Sequence, residues 1–208
     1  QYDYQQRAYI TTAHFDRPQD GVAYERFAHD GPFALLPYGD NYRLIWTRSP
    51  AEAERLASLP FAEFKAIFHA AFGKRAGELV AVDPPIQFPL VLKQLQKGTT
   101  GRVICIGNAA QTMHPVAAQG LNLGVRDAQA LALAFTRTTQ VKNGSLGNHY
   151  ARERRLDAKS IVAFTHSLVT AFDQPSAVLQ AGRGMVMSAL NTSLPLRQKF
   201  SEHLIFGL

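Results

Sequence analysis

The sequence predicts an α+β chain: an antiparallel sheet with two helices over residues 1–100, a strand–loop–helix unit over 101–137, and further helices over 138–208. Three observations predict it. Apolar and polar residues alternate in short segments through residues 1–48, with Gly, Pro, Asp and Asn between them. Helical apolar spacing then takes over at 49–72 and again after 121. Between these stretches a short apolar run, Val103-Ile104-Cys105-Ile106, feeds a loop of small residues.

The elements follow in order. Tyr2, Tyr4, Ala8 and Ile10 alternate with polar neighbours as a first strand. Residues 16–21 form a turn by their Asp, Pro and Gly content, and 22–28 a second strand. Asp30-Gly31-Pro32 turns the chain before a short strand at 33–36, and Tyr38-Gly39-Asp40-Asn41 turns it again. Tyr42, Leu44 and Trp46 then alternate with Arg43 and Thr47, which completes a meander. Ser49-Pro50 reads as an N-cap with proline at the first helical position, and Glu52 supplies the second half of a capping box. Phe61, Phe64, Ile67, Phe68 and Phe72 place a second helix at 61–72, stopped by Gly73. Pro84, Pro85 and Pro89 make 79–92 an edge or irregular strand.

In the second half, 102–106 reads as a short buried strand and 107–120 as a loop. A helix at 121–135 carries Leu121, Val125, Ala128, Leu131 and Phe135 on one face. After a break at Asn143-Gly144 come two or three helices, one over 150–172 with Ile161, Phe164, Leu168 and Phe172 as its stripe.

Composition narrows the function classes. Of 208 residues, 46% are hydrophobic and 18% charged, an ordinary globular balance. The net charge of +6 comes from scattered basic residues, clustered only at Arg152, Arg154 and Arg155. It reads as a solvated surface or as attraction to an anionic membrane or nucleotide cofactor. No basic stripe interleaves with aromatics, which argues against nucleic acid. The single cysteine, Cys105, rules out a disulfide within the chain, fits a reducing cytoplasm and is expected to be a buried structural thiol. No apolar run approaches the roughly 18 residues of a membrane span. The seven histidines lack the paired spacing of a zinc site, so no metal is expected.

The segment with chemical content runs from Gly107-Asn108-Ala109-Ala110-Gln111-Thr112-Met113-His114-Pro115 through Gln119-Gly120-Leu121-Asn122-Leu123-Gly124 to Arg126-Asp127. At Gly107 a missing side chain lets backbone approach a ligand. Asn108 can donate and accept at the end of a strand. The helix that follows opens with Gly120 and Asn122, where unpaired N–H groups and the positive dipole end suit an anionic or electron-rich group. The same pattern also serves a plain strand-to-helix connection that needs small residues.

This segment resembles the second FAD-binding motif of the class A flavoprotein monooxygenases, the para-hydroxybenzoate hydroxylase (PHBH) group. Asn108 stands where that motif has Asp, Gln111 where it has His, and Ala118 where it has Gly. Together with Ala23-Tyr24-Glu25-Arg26-Phe27, Gly31-Pro32, Leu35-Leu36-Pro37, Ala71-Phe72-Gly73 and Phe88-Pro89-Leu90, it is similar to the 2-octaprenyl-6-methoxyphenol hydroxylase subgroup of ubiquinone biosynthesis. The resemblance implies a substrate-domain sheet followed by the C-terminal part of a PHBH-type FAD-binding domain and a helical tail. It implies that Gly107 and Asn108 lie along the ribityl and pyrophosphate part of FAD, that Pro115 sits near the reactive flavin edge, and that Gly120, Leu121 and Asn122 face the flavin pyrimidine. His114 would donate to substrate or flavin, relay a proton, or simply bond the loop backbone. Phe33, Leu35, Tyr42 and Trp46 would line an apolar pocket for a prenylated phenol, or form plain sheet core.

The family's N-terminal Rossmann unit with Gly-x-Gly-x-x-Gly is absent; Gly182-x-Gly184 lacks the third glycine and follows no strand. With Gln1 rather than Met at its start, the chain reads as a C-terminal portion that retains FAD weakly or not at all. The expected function is part of an FAD-dependent monooxygenase that hydroxylates a polyprenyl phenol in ubiquinone biosynthesis with O2 and NAD(P)H. Biosynthetic-complex partners and peripheral contact with the inner face of the cytoplasmic membrane accompany it. Leu190, Leu194, Leu196, Phe200, Leu204, Ile205 and Phe206 are the apolar residues suited to such a surface. A non-catalytic module binding a lipid or quinone precursor, and a catabolic hydroxylase of a small phenol, are the alternatives.

Overall fold

A computed structural model describes residues 1–28, 31–137, 145–173 and 177–206. The chain divides into two compact units, one of Asp3–Leu90 and one of Val91–Leu208 with Gln1–Tyr2. Asp30, Asn143 and Gly144 of the expected breaks, and His29, lie outside the described residues, as do the side chains of Phe172 and Ile205.

The first unit is built on a meander. Strands β1 (Tyr2–Phe15), β2 (Tyr24–Ala28), β3 (Gly31–Tyr38) and β4 (Asn41–Arg48) are joined by β5 (Leu79–Val82) and β6 (Ile86–Gln94) in the order β2-β3-β4-β1-β6, with β5 also paired to β1. Strand β3 is longer than the sequence suggests. It absorbs Gly31 and Pro32, because at φ +125° Gly31 packs its bare Cα onto the Thr47 carbonyl, and a Cβ there would sit 2.2 Å from that oxygen. Tyr38 pairs with Asn41 across a two-residue hairpin loop, and Gly39 takes φ +58° at the position where a II′ turn wants glycine. Pro84 and Pro85 separate β5 from β6, while Pro89 sits inside β6 where no further strand of this unit flanks it.

Two helices cover one face of this sheet. In α1 (Pro50–Ser58), the Ser49 hydroxyl accepts the Glu52 N–H at 3.3 Å, with Pro50 in the first turn. The Glu52 carboxylate turns to Arg55 at 3.0 Å instead of closing the capping box. Helix α2 (Phe61–Phe72) buries Phe64, Phe68 and Phe72, one turn apart, and Gly73 ends it at φ +83° by donating to the His69 carbonyl. These rings meet Tyr9, Phe33, Leu35, Tyr42, Leu44 and Trp46 in one core. Phe33 stacks on Phe72 at 5.3 Å and meets Trp46 edge-on at 4.8 Å. Phe33, Leu35, Tyr42 and Trp46 are therefore sheet core sealed by helices and line no apolar pocket. Strand alternation puts the row Ile10, Ile45 and Ala34 on the opposite face, where all three are half-buried.

The second unit begins with a short hairpin of β7 (Thr99–Thr100) and β8 (Val103–Ile104). The expected buried strand at 102–106 shrinks to two residues, and Val103 is 62% exposed. A 3₁₀ turn at Gly107–Ala109 leads to β9 (Gln111–Thr112), which pairs Lys93 and Gln94 at the end of β6. A second 3₁₀ turn at Val116–Ala118 enters α3 (Gln119–Arg137). Then come α4 (Ser145–Asp173), α5 (Ala177–Thr192) and α6 (Leu194–Phe206).

Helix α3 is turned from the orientation its apolar stripe suggests. Leu121 is 78% exposed, and Val125, Ala128 and Phe135 also face outward, while Leu123, Arg126, Asp127 and Ala134 are buried. Two charged residues point inward because α4 supplies their partners. On α4 the buried line is Ile161, Val162, Thr165 and Val169; Phe164 is half-buried and meets the Phe200 ring at 6.0 Å. Gly182 and Gly184 lie inside α5, which excludes a strand–turn–helix fingerprint there.

Truncating Phe68 to Ala should cost about 3–5 kcal/mol, because a fully buried ring central to the first core leaves a cavity. Urea unfolding followed by circular dichroism should show a lower midpoint with an unchanged slope.

Candidate functional site

The loop from Gly107 to Gly124 is shaped by a buried carboxylate. Asp127, in the third turn of α3, accepts the Gly107 backbone N–H at 2.9 Å and the Gln111 amide at 3.0 Å through Oδ2. Its Oδ1 accepts Arg154 Nε at 2.7 Å. Arg154 also donates through Nη1 to Asp157, which takes Arg126 at 3.0 Å as well. All four charged side chains are at least nine-tenths buried. Burial opposes the charge on Arg154, but hydrogen bonds from Asp157 and Asp127 outweigh it and hold its pKa above the ordinary value. Burial, and then the nearby Asp127 charge, push the Tyr150 hydroxyl up to about 12.

This network settles Arg154, which the sequence groups with Arg152 and Arg155 as a solvated face. Arg152 and Arg155 are exposed; Arg154 points inward. The signal available in the sequence was spacing. Arg154 and Asp157 stand three apart on α4, and Arg126-Asp127 face them from α3, a charge pattern suited to mutual neutralisation in a dry interface.

The loop then closes by backbone contact. Gly107 has φ +56° and opens the 3₁₀ turn, and a Cβ on it would lie 3.8 Å from the Gly124 Cα. The glycine pair lets α3 lie directly against the turn. The proposed ligand residues divide into two sets. Asn108, Pro115, Gly120 and Leu121 are exposed, and Asn122 is half-buried. A Cβ on Gly120 would meet nothing within 4 Å, so the start of α3 is open. His114 is buried beneath them, and its Nδ1 accepts the Val116 N–H at 3.1 Å. Burial pushes its pKa down to about 4 from 6.5, so the ring is neutral at pH 7. Ala118 takes φ +49°, the left-handed conformation that glycine adopts without strain.

The loop offers uncharged acceptors, backbone at an open glycine and the N-terminal end of a helix of 19 residues. Those features fit a large, electron-rich planar group with an anionic tail such as FAD. Among the described residues no group of His, Cys, Asp and Glu could hold a metal ion, and no helix is long and apolar enough to cross a membrane. Ala110, Gln111 and Asp127 also line a cleft of about 630 Å³, bounded by 94–99 and by α4. Cys105 is half-buried in its wall rather than deep in the core, because β8 ends one residue before it.

Comparison with known proteins bears on this loop. The model of a family described as FAD binding domain matches residues 7–165. Ubiquinone hydroxylase UbiL of Rhodospirillum rubrum is 33% identical over 205 residues, covering 96% of this chain and 48% of that protein. Human ubiquinone biosynthesis monooxygenase COQ6 is 27% identical over 238 residues, covering 95% and 51%. The chain thus spans about half the length of the curated relatives it matches. Among solved structures, p-nitrophenol 4-monooxygenase PnpA from Pseudomonas putida superposes with a TM-score of 0.67 at 18% identity, covering 97% of this chain and 53% of that one.

Two outcomes follow. Between pH 6.5 and 4 the unfolded chain protonates His114 and the folded chain does not, so the unfolded state binds more protons and stability falls as pH drops. The loss by pH 4 should be about 2–3 kcal/mol. It should be absent from His114→Asn, whose amide oxygen accepts the same N–H without titrating, so the difference between parent and variant carries it; urea midpoints against pH read it. Second, Ala118→Gly should raise stability by about 0.5 kcal/mol, since the relieved left-handed strain exceeds the added freedom of the unfolded chain. A thermal melt checks the sign.

Proposed function

Because this chain belongs to the FAD binding domain family, we propose that it forms part of an FAD-dependent monooxygenase that hydroxylates a polyprenyl phenol in ubiquinone biosynthesis, using O2 and NAD(P)H. The observation that carries the proposal is the loop 107–124, held open at Gly120 and anchored from behind by Asp127. When bound, FAD supplies the oxygen activation; the chain's residues position, neutralise and exclude water. Gly107 and Asn108 run along the ribityl and pyrophosphate region, where the Asn108 amide oxygen accepts a hydroxyl without adding charge. Gly120, Leu121 and Asn122 present the helix start to the flavin pyrimidine, where the dipole favours negative charge on the reduced ring. Pro115 borders the reacting edge. His114 accepts the Val116 N–H as a neutral ring, which favours a loop-shaping role over proton relay.

The substrate reading rests on the names of the relatives and on the half-buried apolar row Ile10, Ile45 and Ala34, an apolar sheet face suited to an aromatic ring. Exposed Met185, Val186, Met187, Leu194, Leu196 and Phe206 on α5 and α6 support a peripheral contact with a membrane or a biosynthetic partner.

The test uses both this chain and the longer protein that contains it. The chain alone should purify without stoichiometric flavin absorbance, since its loop meets only part of the cofactor. The longer protein should consume NAD(P)H and O2 with a prenylated phenol, and Asn108→Ala should weaken its flavin binding by about 10-fold, the worth of one hydrogen bond. Ring hydroxylation by flavin-free protein would defeat the proposal.

A further inference from the structure

The first unit carries a cleft of its own, where the end of α1, the start of α2 and β5 meet. It measures about 470 Å³, inside the ~300–1,000 Å³ range of small-molecule sites. Leu56 and Leu59 line it from the end of α1, Phe61 and Phe64 from α2, and Val80 and Val82 from β5. Asp83 is the one charged residue in the lining, and His14 Nε2 meets its carboxylate at 2.8 Å. No cationic side chain lines the cleft.

Tyr9 supplies a second, independent observation. It is 1% exposed, and its ring stacks on Phe64 with the centroids 5.9 Å apart. Its hydroxyl has no hydrogen-bond partner among the described residues. The Trp46 indole N–H in the same core also lacks a partner, but it is fully enclosed, whereas Tyr9 borders the cleft. Burial pushes the Tyr9 phenol up to about 12, so it keeps its proton at neutral pH. A buried hydroxyl donor without an acceptor is uncommon, because its desolvation is left uncompensated.

We propose that this cleft binds an uncharged single-ring molecule bearing a carbonyl oxygen, which accepts the Tyr9 O–H while Leu56 and Phe64 pack the ring. A charged ligand would enter without a counter-charge, at a large desolvation cost. The site is on the helix-covered face of the sheet. Tyr9 and Ile10 are neighbours on β1 and point to opposite faces, so the row Ile10, Ile45 and Ala34 belongs to a different surface. The inference therefore does not rest on the flavin reading. An occupant would brace the junction of α1, α2 and β5.

The probes are para-fluoroacetophenone and para-fluoroethylbenzene, which differ in the carbonyl, titrated into the purified protein and followed by fluorine NMR. The ketone should bind saturably near one equivalent and raise the melting temperature. Tyr9→Phe keeps the ring and removes the hydroxyl. It should weaken the ketone by about 5-fold, the worth of one hydrogen bond, and leave the ethylbenzene unchanged. Without ligand, Tyr9→Phe should melt no lower than the parent, since the hydroxyl has no protein partner to lose. Ala57→Trp, at an exposed position of the cleft rim, should block both probes. The proposal is overturned by an absence of saturable ketone binding, by equal effects of Tyr9→Phe on the two probes, by a lower melting temperature of unliganded Tyr9→Phe, or by binding that survives Ala57→Trp.

Discussion

The second unit is organised by one carboxylate that never reaches water. Asp127 collects a backbone amide, a side-chain amide and a guanidinium, and each comes from a different element: the 3₁₀ turn, the start of β9 and α4. Taking one partner away would leave a charge buried without compensation, a far larger penalty than the loss of an exposed ion pair. The four-charge chain through Arg154, Asp157 and Arg126 distributes that constraint along two helices. The conformation of the 107–124 segment is thus set by groups that α3, β9 and α4 bring to it.

The first unit holds together by different means. Its core is almost wholly aromatic and aliphatic, with α2 delivering three phenylalanines onto a sheet that presents Phe33, Tyr42 and Trp46. Shape and desolvation fix it, not directed polar bonds. The half-buried Ile10, Ile45 and Ala34 belong to the opposite face because strand side chains alternate, so the core residues and the proposed substrate face are assigned by register alone.

Much of this was legible in the sequence where a local rule governs. Ser49-Pro50 capped α1 and Gly73 ended α2 as their chemistry requires, and the alternation of Tyr42, Leu44 and Trp46 identified a strand correctly. The loop at 107–120 was visible from its small residues, with α3 starting at Gln119 where the sequence put the helix start at 121. What was not legible depended on partners distant in the chain. The apolar stripe of α3 pointed to the wrong buried face, because the pairing of Arg126 and Asp127 with α4 overrides hydrophobic periodicity. Arg154 looked like one of three equivalent surface arginines, since nothing local separates it from its neighbours. The reach of β3 through Gly31 and Pro32 depended on a close approach to Thr47 that only the folded register creates.

Cys105 has a practical consequence of its own. It is the sole sulfhydryl in the chain and stands half-open in the wall of the cleft. Alkylation therefore attaches one label at one known point, with no engineered handle and no background from other thiols. A fluorophore or spin probe placed there reports on the cleft that Ala110, Gln111 and Asp127 also line, where native chemistry offers no colour of its own.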